Sequence, residues 1–448
     1  MASTYLKRTG TTTVNTYTFS AWIKLGTLSS ANDTYQVLFS SGNQNILGLY
    51  GGSTTSGHNA LYHYNNTNLW WTNNLLRDPS SWYHVVAKVS GGTVTTYING
   101  VQTSYATSTF SLGALETTTD KTCVGCYAPS ATSFFRGSMS HVHFISGTAY
   151  DPSAFGETDT TTGEWKAKTS PSVTYGADGF FILKDGNGIT DQSGEGNNFT
   201  LGGGTLIDLK DNPDNNFATI QFVGHPGNVT LNNGNLVLDG VNENDWKKAF
   251  TSTLGASSGK YYWEVKLGID GESTTDYNIM GIVRSDKTWT NSNVYSNGGF
   301  NGLQSANSAG GLGMYSQTGA SMGNALYIGG SSVALTNGDI VMFAVDLDNR
   351  KMWVGKNGVW ANAGSGGGVG NPSTGANELW GTGEFTDGAI YLPSSSIYYD
   401  NSQAYNFGNG YFKTTAVSSA GTPASTPGIF EYDCPTGFQP WSTKGLNA

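Results

Sequence analysis

A chain of 448 residues is long enough for two or three domains with a core each, and its balance of 12% aromatic residues, 12% charged residues and 62 glycines fits short strands joined by many tight turns. The class this implies is all-β with little helix. A net charge of -10 counts against nucleic acid as a partner, because phosphate binding needs clustered Lys and Arg.

No window approaches the roughly 20 apolar residues of a membrane span, so no membrane insertion is expected. The opening MASTYLKRTGTTT has no apolar run after its basic residues, so neither a secretion signal nor an extra anchoring arm is read there. Three cysteines cannot build a disulfide framework, which fits assembly in a reducing cytoplasm.

The first strand covers residues 17–24, with Tyr17, Phe19, Ala21 and Ile23 on one face and Thr18, Ser20, Trp22 and Lys24 on the other. Further strands follow at 36–39, 46–50, 61–64 and 82–89, and the strand at 93–98 runs into Asn99-Gly100, a hairpin signal. Trp70 and Trp71 point to opposite faces, which sends one to the core and the other to the outer sheet face or a loop. An exposed indole there can stack on a sugar ring or anchor a protein contact. His84 sits in an apolar strand and reads as a core histidine. Cys123-Val-Gly-Cys126 has the spacing of half a zinc site, but no second pair exists, and His141 and His143 alternate with Val142 and Phe144 as a strand does. These cysteines read as strand residues.

The run TFSAWIK, then WYHVVAKVSGGTVTTYINGVQ, then FFRGSMSHVHFISGTAYDPSAFGE resembles the concanavalin-like, laminin-G type jelly roll over roughly residues 1 to 160. The resemblance implies two facing antiparallel sheets and a binding module, often for glycans.

Residues 158–216 are polar and irregular, apart from a strand at 179–183 and the motif DQSGEGNNFT at 191–200, which resembles one near the start of many laminin-G type domains. The chain is therefore expected to fold back there and complete the first sandwich. Asp185, Asp191 and Glu195 are oxygen donors of the kind calcium takes, but the bidentate Glu of an EF-hand loop is replaced by Gly202. A turn held by Asx-type bonds is the favoured reading.

In residues 259–267, GKYYWEVKL, Tyr261, Trp263, Val265 and Leu267 oppose Lys260, Tyr262, Glu264 and Lys266, so burial on one side only is expected. In GDIVMFAVDLDNRKMWVGKNGVW, residues 338–360, both faces of the first strand are apolar and Asn357-Gly358 supplies a turn. With YNFGN at 405–409, these motifs resemble the SPRY domain over roughly residues 230 to 415. That resemblance implies a second sandwich whose loops recognise a partner, and Trp289, Tyr295, Trp360 and Trp380 fall in or beside such loops. The Gly-rich runs at 298–323 and 364–375 lack the Lys-Ser/Thr of a phosphate-binding loop.

The organisation expected is a concanavalin-like sandwich at 1–207, a linker at 208–229, a SPRY-like sandwich at 230–416 and an extended segment at 417–448 lying on a surface. Glycoside hydrolysis on a jelly roll needs paired carboxylates, and the Glu-x-Asp-x-x-Glu pattern is absent: Lys248 and Thr162 stand where the third carboxylate belongs. No catalytic residue and no enzyme activity are expected.

The succession YLKRT, DPSSWYHVV, SHVHFISGTAYDPSAFGETDTTTGEW, DQSGEGNNFT, the SPRY-like region and CPTGFQPWSTKGLNA resembles proteins encoded by tailed phages of marine bacteria and cyanobacteria. This implies a virion surface protein assembled in the bacterial host cytoplasm, of tail-fibre or spike type. Its implied partners are other virion proteins and a host-surface glycan or receptor. The alternatives are a capsid decoration protein and a glycan-cleaving enzyme of the particle. Phage appendages are commonly trimers, so a homo-oligomer is implied, although no heptad run marks one.

Overall fold

The computed structural model describes residues 4–10, 12–28, 35–42, 45–51, 58–106, 112, 114–116, 121–184, 188–222, 229–240, 250–268, 277–286, 311–317, 320–321, 326–364, 366–397, 400–418 and 428–447. The chain is all-β; among the described residues the helices are one short α-helix, Thr443–Leu446, and two 3-10 turns, Pro152–Ala154 and Pro372–Thr374. It divides into two compact units, residues 1–208 with 212–214, and residues 209–211 with 215–448.

The first unit pairs two antiparallel sheets. One runs Thr200–Gly203, Tyr5–Thr9, Lys121–Val124, Gln36–Ser41, Asn45–Leu49, Ala60–Tyr64 and Leu69–Leu75. The other runs Val101–Gln102, Thr93–Ile98, Trp82–Ser90, Tyr17–Leu25, Gly137–Ser146 and Phe180–Ile182. Their facing side chains form the core, where Phe39 of the first sheet stacks between Phe19 (4.8 Å) and Phe144 (5.4 Å) of the second. Each buried Phe contributes about 2 kcal/mol of apolar burial.

The chain does return after the DQSGEGNNFT motif, and Thr200–Gly203 pairs with Tyr5–Thr9. Arg8 fixes the return by donating to Asp178 and to Asn197, while Asp178 also accepts the N–H of Thr12 at 2.7 Å. All nine positions of Tyr17–Leu25 are buried. Alternation alone cannot produce this; residues 147–178 lie on the outer face of that sheet and cover it.

In the second unit, one sheet contains Ile220–Phe222, Phe250–Ser252, Tyr391–Ile397, Tyr277–Arg284, Gly311–Gln317 and Ala320–Ser321. The other contains Thr230–Asn232, Val237–Asp239, Ser402–Asn406, Lys260–Gly268, Ile340–Asp346, Lys351–Lys356 and Val359–Trp360, with Gln439–Pro440 pairing parallel to Lys260–Gly268. Trp263 and Phe343 stack at 4.8 Å in the core between them. Asn357 (φ 49°) and Gly358 (φ 86°) make the turn that the Asn-Gly pair signals, since both central residues need positive φ.

Three sequence expectations change here. Lys260–Gly268 is buried on both faces: Tyr262 and Glu264 lie under Phe430, Cys434 and Phe438 of the C-terminal stretch. That stretch lies on the outer face of this sheet, but its end does not stay there, because Trp441 enters the core and stacks on Tyr261 at 4.3 Å. Within 208–229, Phe217, Ala218 and Ile220 are buried, and Ala218 donates to the Trp441 carbonyl, so residues from Asn215 onward belong to the second unit.

Candidate functional site

The seven-stranded sheet sends Leu47, Leu49 and Leu61 into the core. The alternate positions therefore face outward, and several of them are aromatic. Tyr62 lies opposite Trp71 and Tyr64 opposite Leu69, while Tyr50 continues the outward row of Ile46 and Gly48. Tyr50 stacks on Trp71 at 4.9 Å, and Tyr35 stands edge-on to Tyr50 (5.5 Å) and Tyr62 (5.1 Å). Tyr50 and Tyr62 are buried and form the floor; Tyr35, Tyr64, Leu69, Trp71 and Tyr127 are half-buried around them. Gly48 makes the floor possible: a Cβ there would meet the Tyr62 ring at 2.6 Å and the Gln36 carbonyl oxygen at 2.4 Å.

Burial, reinforced by the neighbouring Tyr50, raises the pKa of Tyr35; burial raises that of Tyr62 as well. These hydroxyls stay neutral at physiological pH. The face therefore offers flat π surfaces edged by neutral hydroxyl donors and acceptors, the chemistry that stacks on the C–H face of a sugar and hydrogen-bonds its hydroxyls.

Of the residues singled out from sequence, Trp71 belongs to this face. Trp70 lies opposite His63, which points inward to Thr96 Oγ1 of the other sheet at 2.7 Å, so Trp70 is on the core side. Trp360 is half-buried and edge-on to Tyr262 at 6.2 Å in the other unit. Trp380 is only 6% exposed and packs in the second core, so it presents no ring to a ligand; the loop it borders pairs back onto Met352. Trp289 and Tyr295 lie outside the described residues.

At Asp191 the structure shows the Asx-type turn favoured from the sequence, with calcium as the lesser reading. Its Oδ1 accepts the N–H groups of Phe181 and Ser193, and its Oδ2 accepts the Ser193 hydroxyl and the Asn197 N–H. Its lone pairs are spent on its own loop and on the strand Phe180–Ile182, which makes it a turn organiser. Glu195 is exposed, and Asp185 lies outside the described residues. Among the described residues, no group of three or more His, Cys, Asp or Glu is arranged to hold a metal ion.

Sequence reasoning missed Tyr35, Tyr50, Tyr62, Tyr64 and Tyr127. A signal was there: in ALYHY and in the run NILGLY, the period of two puts the tyrosines on the face opposite the leucines.

One further pair resembles a catalytic dyad. His84 Nε2 lies 2.8 Å from Ser20 Oγ, and its Nδ1 lies 3.0 Å from Trp165 Nε1. An indole N–H can only donate, so Nδ1 is the acceptor and the proton of the neutral ring sits on Nε2. That nitrogen donates to Ser20 and cannot take its proton, the step a serine nucleophile requires.

A laminin-G type family model, described as the concanavalin A-like lectin/glucanases superfamily, matches residues 2–151. No curated protein matches the chain. Among solved structures, the chain is similar to the SPRY domain of human HERC1, at 14% identity over 41% of this chain and 96% of that one, with a TM-score of 0.25. It is similar to a putative carbohydrate binding protein from Bacteroides ovatus, at 16% identity over 45% of this chain and 56% of that one, with a TM-score of 0.32. A third is domain 4 of AbnA, a GH43 extracellular arabinanase from Geobacillus stearothermophilus, in complex with arabinotriose: 18% identity, 32% of this chain, 66% of that one, TM-score 0.23.

Proposed function

We propose that this chain is a virion structural protein of a tailed phage, of tail-fibre or spike type, that attaches to a host-surface glycan through the aromatic outer face of its first sandwich. The observation that carries the glycan reading is the ring cluster of Tyr35, Tyr50, Tyr62, Tyr64 and Trp71, gathered on one face of a lectin-type sheet and free of ionised groups of its own. A ring face of this kind favours a neutral saccharide and acts by binding, without a chemical step. The tautomer of His84 supports the same view, because the Ser20 hydroxyl has no base beside it. The virion reading rests on the order of motifs along the chain, and it brings other virion proteins and further copies of this chain as partners at the particle surface.

The test is immunogold labelling of intact particles with an antibody to this chain. Label at the tail, with loss of host adsorption when the antibody is present, is the expected result. Label spread over the head would contradict attachment and favour capsid decoration; absence of label would contradict the virion assignment.

A further inference from the structure

We propose that residues 147–178 form an acid-released strap over the outer face of the six-stranded sheet in the first unit, with His84 as the trigger and Trp165 as the catch. The strap buries two apolar clusters, Ile145 with Phe155, Tyr175 and Phe181 at one end, and Trp22 with Trp82, Trp165 and Ala167 at the other. Between them lie histidines: His84 stacks on Trp22 at 4.9 Å, His143 on Phe181 at 3.9 Å, and His141 faces Phe181 at 6.1 Å.

The catch is specific. The Trp165 indole occupies a slot walled by Gly100 and Gly156, where an added Cβ would come within 2.8 Å and 2.5 Å of the ring. Its N–H ends on His84 Nδ1. A proton added to His84 must go to that same nitrogen, because Nε2 already carries one. Two donors would then face each other, and the bond that seats Trp165 is lost. Protonated His143 differs, since its Nδ1, 2.8 Å from the Tyr175 hydroxyl, can donate to that oxygen.

The surroundings offer an added charge no relief. From the neighbouring strands, Ser20, Trp22, Ser140, His141 and His143 face the seam, and Lys184 adds positive potential at His143. Lys24 and Lys88 flank the row on the sheet, Lys88 being held by Asp151 at 2.6 Å. From the strap come Trp165 and Tyr175, with Asp191 near the latter; Glu157, Asp159 and Lys166 pair with one another on its outer side. The partners of His84 and His143 are hydroxyls and an indole, and among the described residues neither ring has a carboxylate hydrogen-bonded to it. Burial, and secondarily His141, hold the His84 pKa down to about 3 against an ordinary 6.5. An opened strap restores the ordinary value, so at pH 5 the opening equilibrium rises by about thirtyfold through His84 alone.

The test is hydrogen exchange on the full chain at pH 7.5 and pH 5.0, corrected for the intrinsic pH dependence and localised by peptides. The expected result is a loss of protection of about thirtyfold in residues 147–178, with strands Tyr17–Leu25 and Trp82–Ser90 remaining far better protected than the strap at both pH values. His84→Asn places a non-titrating oxygen where Nδ1 stands and should hold the strap closed at both pH values. Trp165→Phe removes the catch and should raise exchange in the strap at both. Unchanged wild-type strap protection at pH 5.0, a strap no less protected than the inner strands, or a His84→Asn protein that responds like the wild type would each overturn the proposal.

Discussion

Glu264, fully buried on the strand Lys260–Gly268, accepts the backbone N–H groups of Glu431 and Tyr432, at 2.9 Å and 2.8 Å. The Tyr262 hydroxyl and the Asn406 amide complete the set. One carboxylate thus ties the C-terminal stretch to the outer face of the sheet. Burial pushes its pKa up to about 7, against the lowering effect of those four donors. The folded state therefore holds a proton that the unfolded chain, near 4.5, gives up, so stability from this site is full below pH 4.5 and falls as pH rises to 7. Glu264→Gln should abolish that fall, which amounts to about 3 kcal/mol. Urea unfolding at pH 4.5 and pH 8 measures it, and an unchanged pH slope in the variant would count against this assignment.

Glu264→Ala behaves differently, because it leaves two buried N–H groups without an acceptor. A loss of about 3 kcal/mol is expected from urea midpoints at pH 4.5, and a smaller one at pH 8, where the wild-type site has already lost stabilisation.

Trp441 is unexposed, and it stacks on Tyr261 while meeting Trp263 edge-on at 6.2 Å. Trp441→Ala should cost about 4 kcal/mol in the second unit, the scale of a large aromatic removed from a packed core. A change below about 1 kcal/mol would contradict the packing described.

The first unit should respond to acid in the opposite sense from Glu264. Burial lowers His63 to about 3 and His84, helped by His141, to about 3. The fold keeps both neutral, so their stability is intact above pH 6.5 and is lost as pH falls toward 3, by about 1.4 kcal/mol per pH unit for each. Calorimetry at pH 7.5 and pH 5.0 should show the transition of the first unit moving down. His63→Gln, which can still donate to Thr96 Oγ1, should move less.

Much of the fold can be read along the chain, because period-two alternation and Asn-Gly turns act locally: the strand at residues 340–346 and the turn at 357–358 are where the pattern puts them. What cannot be read is what covers an outer face. The Lys260, Tyr262, Glu264, Lys266 row looks solvent-facing because its cover arrives more than 160 residues later, and the Ser20, Trp22 row because residues 147–178 arrive more than 120 later. The site shows the same division. Trp71 stands out as an indole on a strand, whereas Tyr35, Tyr50 and Tyr62 become one surface only through the strand register and the room left by Gly48. Trp380 misleads because its loop folds back onto Met352.

The central claim is most directly tested on a glycan array, with the wild-type protein beside Trp71→Ala and with unfolding midpoints checked for both. The account predicts binding to neutral glycans, weakened about tenfold on losing the Trp71 ring while the fold persists. Absence of glycan binding by the wild type, or equal binding by a folded Trp71→Ala protein, would contradict it.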